Sequence, residues 1–268
     1  MPSTEVVQMK IIKQIDVTYD PNHDLKADIY LPDEEFKSMV IDIHGGGWFR
    51  GDKQKDADWA QRIAEHGYAV IVPNYRITPA GYYPAPLQDM DNLIQWIKEQ
   101  DFAVDKFAAV GGSAGGNMAV ELAIKYGMPA ISLSGIIDIE NWLSQHQNVV
   151  AKEGDTSHFN QQASAQINQN GADDGFYKWF VVNYFNGKTD QYHEASPVFR
   201  VSDQTGPMYL ANSLDEFVPT SGVLQMAQAL TDHNVPFTVR MITGQQHAKG
   251  YLEEVFDDTI NFLDRYLA

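Results

Sequence analysis

Two rhythms of apolar residues alternate along most of the chain. Runs such as "SMVIDIH" (Ser38–His44) and "YAVIVPNY" (Tyr68–Tyr75) are almost continuously apolar, as strands buried on both faces of a parallel sheet must be. Between them, Lys55–His66 repeats its apolar residues at helical spacing. The pattern predicts early strands at Ile11–Tyr19 and Leu25–Leu31, the second ended by Pro32. It then predicts a helix at Gln88–Glu99, a strand at Phe107–Val110, a helix at Gly116–Tyr126 and a strand at Ala130–Ser134. After a long break, strands at Met208–Asn212 and Phe237–Ile242 flank a helix at Thr220–Asp232, and a helix at Tyr251–Tyr266 follows. Alternation of this kind is the signature of an α/β fold with a mainly parallel central sheet flanked by helices.

The break itself, from Asp138 to Ser196, has no clear strand. It holds a polar, Gln/Asn-rich stretch, "HFNQQASAQINQNGADDG", and an aromatic, helix-like one, "FYKWFVVNYF". Loops of such length inside a domain are usually functional or disordered. Residues 139–195 therefore read as an insertion after the sixth strand. It is either a surface excursion whose aromatics pack for their own stability or a cap facing a substrate. No repeat or linker divides the rest, so residues 1–268 are expected to form one domain.

Charge narrows the field of partners. The net charge is −17, with only 19 Lys and Arg, which argues against binding a phosphate backbone. An acidic surface also repels anions at long range and so favours neutral small molecules. No cysteine is present, which excludes disulfides, Cys-ligated zinc and thiol catalysis together. Any nucleophile is then an oxygen or an amine. No apolar run approaches the ~18 residues of a membrane span, and the start shows no signal-peptide pattern, so a cytoplasmic protein without membrane contact is expected.

Within this frame, "VGGSAGGN" (Val110–Asn117) places one serine among four glycines, after the apolar "KFAAV" and before the helix-like "NMAVELAIKY". Gly111–Gly115 fits G-x-S-x-G, in which the chain turns sharply from strand to helix and lifts the hydroxyl above the sheet. A Cβ two residues before or after the serine would clash at such a turn. The helix that follows aims its free N–H groups at the same spot. A glycine-rich turn that binds phosphate would look similar, but no lysine stands at the Walker position and no G-x-G-x-x-G is present. A second cluster, "HGGGW" (His44–Trp48), follows "VIDI". The N–H groups of Gly46 and Gly47, with that of Ala114, form a candidate oxyanion hole. His44, at the strand end ahead of this loop, reads as an anchor for it and not as a base.

A serine hydroxyl needs a base, and the base needs a carboxylate. Five histidines follow Ser113. His146, His158 and His193 fall in the insertion, and His233 lies near a helix end. His247, in "TGQQHAKG", stands past the C-terminal end of a strand, where ligands bind in open α/β sheets, and is the candidate base. Asp215 in "YLANSLDEFVP" occupies the equivalent loop after the preceding strand and is the candidate acid, with Glu216 and Asp138 as competitors. Trp48, Tyr82 and Tyr83 are candidates for the pocket wall, or for packing beside the glycine loops.

Taken together, "HGGGW", "GGSAGG", "SLDEFVP" and the late loop histidine resemble the α/β-hydrolase family. Within it, the hormone-sensitive-lipase-like esterases and bacterial carboxylesterases of the feruloyl and acetyl esterase type are most similar. The resemblance runs from about Lys26 onward. It implies an α/β-hydrolase fold, a Ser113–Asp215–His247 triad, a structural Asp89, and an acyl-enzyme route for short-acyl or aryl esters that needs no metal or organic cofactor. An amide hydrolase such as an arylformamidase, or a binding protein that has lost the chemistry, would carry similar motifs. A homodimer through the insertion or an edge strand is compatible with the pattern. Two departures stand out. Ala248 follows His247 where relatives often have glycine, and the insertion matches no familiar cap.

Overall fold

The structure, a computed structural model, describes residues 9–102, 104–153 and 174–267. The apolar runs pair into one eight-stranded sheet: β1 (Ile11–Asp20), β2 (Leu25–Pro32), β3 (Met39–Ile43), β4 (Ala69–Pro73), β5 (Phe107–Gly112), β6 (Ala130–Leu133), β7 (Met208–Ser213) and β8 (Phe237–Ile242). Their order across the sheet is β1-β2-β4-β3-β5-β6-β7-β8. β2 runs antiparallel to both β1 and β4, and every pairing from β4 to β8 is parallel.

Side chains alternate across the parallel strands and build two cores. On one face, Met39, Ile41, Ile43, Ala109 and Leu210 pack with residues of α2 (Ala85–Lys98), α3 (Ala114–Tyr126) and α6 (Ser221–Asp232). On the other, Val40, Val70, Val110, Ile131 and Tyr209 meet α1 (Ala57–Ala64) and α7 (Leu252–Leu267). Helices cover both faces, which is why these strands read as unbroken apolar runs. The helices begin and end within a few residues of the sequence-based limits. The largest difference is at α2, which starts three residues earlier than expected, with Pro86 in its first turn.

Of the 139–195 interval, the described part contains α4 (Glu140–Gln145) and α5 (Asp174–Tyr184) and no strand. The polar stretch from His158 to Asp173 lies outside the described residues. No helix among the described residues is long and apolar enough to cross a membrane.

Register now explains where chemistry can gather. Ile43 of β3 pairs with Gly111, Gly112 of β5 with Leu133, Leu133 of β6 with Ala211, and Ser213 of β7 with Ile242. The ladder runs one step further, with Ser113 N–H donating to Leu133 O at 2.8 Å and Ser134 N–H to Ala211 O at 2.7 Å. The C-terminal ends of β3, β5, β6, β7 and β8 are therefore level. Five loops leave the sheet side by side along one edge.

Candidate active site

At the end of β5 the chain passes into α3 through Ser113, whose φ of 56° and ψ of −121° are costly for a residue with a Cβ. The flanking glycines make that turn feasible. A Cβ on Gly111 would come within 2.4 Å of the Gly115 backbone, and one on Gly115 within 1.8 Å of Ile43 O. Ser113 O accepts the first helical bond from Asn117 N–H at 3.0 Å. The N–H of Ala114, in the first turn of α3, has no intrahelical acceptor.

The loop after β3 wraps over this turn. Gly46 has φ 126° and Gly47 φ 59°, and Gly46 O accepts from both Phe49 N–H and Arg50 N–H. Neither Gly46 N–H nor Gly47 N–H donates to another backbone group among the described residues. His44 anchors the loop, as its sequence position suggests. Its ring stacks on Tyr75 with centroids 4.3 Å apart, its Nδ1 lies 2.8 Å from Gly45 O, and Tyr75 Oη donates to His44 O. Complete burial pushes the His44 pKa down to about 4, so the ring is neutral.

His247 follows β8 and is 2% exposed. The structure does not bring Asp215 to it. Asp215 lies at the surface, where it accepts from Gln245 Nε2 at 3.1 Å. Glu216 takes the place instead: its Oε2 lies 2.5 Å from His247 Nδ1, and its Oε1 accepts from Ser134 Oγ at 2.6 Å and Ser213 N–H at 3.1 Å. The correction has a geometric cause. Leu214 N–H and Asp215 N–H are bonded to Ile242 O and Gly244 O, which holds Asp215 along the β8 edge while the next residue turns inward. Asp138, the third competitor, accepts from Ser221 Oγ, Gln225 Nε2 and Trp142 N–H and so ties α4 to α6. Asp89 is fully buried and engages Arg76, a structural role.

Ser113 and His247 open into one cleft, walled by Gly46, Gly47 and four phenylalanines: Phe49, Phe176, Phe180 and Phe217. Phe217, next to Glu216, packs on the His247 ring at 4.5 Å. Trp48, Tyr82 and Tyr83, candidates for this wall or for packing beside the glycine loops, do not line it. At φ 59° the Trp48 backbone swings its ring away to stack on Tyr184 of α5 at 4.1 Å, and Tyr83 packs edge-on against the same ring. The described part of the 139–195 interval contributes both to the cleft lining and to packing on the glycine loop. Phe176 and Phe180 face the cleft, while Tyr184 packs inward on the glycine loop. Sequence reading missed the phenylalanines, although Phe176 and Phe180 stand four apart on a helix, one face of the aromatic run.

The remaining histidines are elsewhere. His146 stacks on Trp142, His193 pairs with Glu140 at the surface, and His233 ends α6; His158 lies outside the described residues. The described residues offer one candidate cluster for a metal, Asp20, His23 and Asp89, in which Asp89 is already paired with Arg76.

A serine strained at a strand-to-helix turn, a glycine loop over it and a carboxylate-held histidine at the next strand ends define an α/β hydrolase. The fold is also that of solved esterases: a truncated carbohydrate esterase from gut microbiota superposes with a TM-score of 0.74 at 16% identity, covering 98% of both chains. More narrowly, the chain belongs to the BD-FAE family, whose model matches residues 27–230. Among curated proteins it is 37% identical over 120 residues to a versiconal hemiacetal acetate esterase of Dothistroma septosporum. It is 32% identical over 113 residues to an arylacetamide deacetylase of Bos taurus. These matches take in 42% and 38% of this chain and only 37% and 28% of the two relatives.

Proposed function

We propose that this protein is a serine carboxylesterase that hydrolyses small, neutral esters with short acyl or aryl groups through an acyl-enzyme. One observation carries the reading: a strained serine and a carboxylate-held histidine share a single cleft. In this mechanism Glu216 keeps the Nδ1 proton of His247 in place, so that Nε2 is the free base. Nε2 takes the Ser113 proton as Oγ attacks the ester carbonyl. The oxyanion rests on the N–H groups of Gly46, Gly47 and Ala114, each worth a few kcal/mol in such a hole. Nε2–H then protonates the departing alcohol. Water repeats the sequence on the acyl-enzyme, releasing acid and restoring Ser113. The four phenylalanines favour an apolar or aromatic group in the cleft.

The same machinery serves amides, and the name of the bovine relative is the observation that favours that second reading. Both are tested with Ser113→Ala against wild type on p-nitrophenyl acetate, butyrate and octanoate, an aryl ester and an aryl formamide. The expected result is activity in wild type and a loss of roughly 10⁴-fold in the variant, with esters ahead of the formamide. A folded wild type as inactive as its variant would end the hydrolase reading and point to ligand binding in the cleft.

A further inference from the structure

Between the strand that carries Ser113 and the strand that leads to Glu216 runs β6, and the residue after its last paired position is Ser134. It is completely buried and adopts φ 52°, an unusual conformation for a residue with a Cβ. Its Oγ meets three partners: Glu216 Oε1 at 2.6 Å, Ala248 N at 3.0 Å and Tyr251 Oη at 2.6 Å.

Counting hydrogens settles the directions. A hydroxyl has one hydrogen and two lone pairs, an ionised carboxylate only accepts, and a backbone N–H only donates. Ser134 therefore gives its hydrogen to Glu216, and Ala248 N–H takes one lone pair of Oγ. Only an acceptor position is left, so the Tyr251 hydrogen points at Ser134 Oγ, with Ala211 O at 3.0 Å as its alternative. Burial, and then the charge of Glu216, hold the Tyr251 pKa well above the usual phenol range, so that hydrogen stays in place.

We propose that Ser134 is a positioning residue for the acid–base pair. Its hydroxyl, oriented by Tyr251, fixes Glu216 Oε1 so that Oε2 faces His247, and the same oxygen pins the His247 loop through Ala248 N–H. The proposal rests on the esterase reading above. Without the hydroxyl, Glu216 keeps one donor on Oε1, that of Ser213, and two hydrogens of the histidine loop and α7 region lose an acceptor. The carboxylate loosens and holds the imidazole less firmly in the orientation the reaction needs. The other charged groups at the cleft, Arg50, Lys55, Asp56 and Lys249, are the same in wild type and variants.

The test compares Ser134→Ala, Ser134→Gly and Tyr251→Phe with wild type on p-nitrophenyl butyrate, each checked for fold by circular dichroism. Glycine removes the hydroxyl while relieving the positive φ, and keeps the measurement open should the alanine variant misfold. Expected is a fall in kcat of about 10- to 100-fold for both Ser134 variants with KM within about twofold. Tyr251→Phe should show a smaller fall in kcat, again with KM little changed. Wild-type kcat in folded Ser134→Gly would overturn the proposal, as would loss in the alanine variant alone, which assigns the effect to backbone strain. Ser113→Ala, run beside them, separates the two ideas. If it stays active, the esterase reading fails; if it is dead while Ser134→Gly is normal, only the positioning role fails.

Discussion

Neighbouring carboxylates, Asp215 and Glu216, differ at this site in one respect: which of them turns inward. Glu216→Gln is expected to lower kcat by about 10³- to 10⁴-fold, because the amide cannot hold the imidazolium, whereas Asp215→Asn should stay within about twofold. Steady-state kinetics of the pair on p-nitrophenyl butyrate checks both. His44 makes a second prediction at this scale. Its pKa is pushed down to about 4 in the folded chain against about 6.5 unfolded, so the unfolded chain binds more protons between those values. The His44 contribution is thus complete above pH ~6.5 and lost as pH falls toward 4, by about 3 kcal/mol at most. Asp42, also buried, has its pKa raised and acts in the opposite direction, so the informative quantity is the difference between wild type and His44→Phe in denaturant melts across this window. Ala248 sits at φ 47°. Ala248→Gly should therefore leave stability level or raise it by up to about 1 kcal/mol, the strain relieved being set against glycine's extra chain entropy.

At the level of elements, α5 and the glycine loop act on each other across the cleft. A Cβ on Gly47 would meet Phe49 at 2.9 Å and Phe180 at 3.1 Å, so Gly47→Ala should displace the loop and cost about 10²-fold in kcat or more. Phe180→Leu enlarges the cleft and should raise the octanoate-to-butyrate ratio of kcat/KM; an unchanged ratio would show that acyl length is set elsewhere. These contacts mark where sequence reading stopped. The strands, the tight turn around Ser113 and the late position of His247 were legible because each rests on a local rule: apolar runs, glycine clearance, and loops at the C-terminal ends of parallel strands. The carboxylate partner of His247 was not, since adjacent Asp215 and Glu216 share one loop and only the bonds to Ile242 and Gly244 decide which faces His247. The place of Trp48 stayed open between wall and packing for a similar reason. Nothing local announces a positive φ at a tryptophan, and that one angle sends its ring to Tyr184, away from the cleft.

Over the whole molecule, the net charge of −17 sets the long-range field in which substrates approach. A hemisuccinate ester, which is anionic, should react with lower kcat/KM than a neutral ester of equal length, and the gap should narrow with added salt as the field is screened. An anionic ester that is faster at low salt would show that the cations at the cleft, Arg50, Lys55 and Lys249, outweigh the global charge. The level ends of the parallel strands have a different consequence. Ser113, Glu216 and His247 follow β5, β7 and β8, and β8 is an edge strand, held in the sheet by β7 alone. A refolding chain can thus regain its helices and most of its sheet while lacking a base. Turnover should return later than the far-ultraviolet signal, so the reaction itself keeps time for the docking of the last strand.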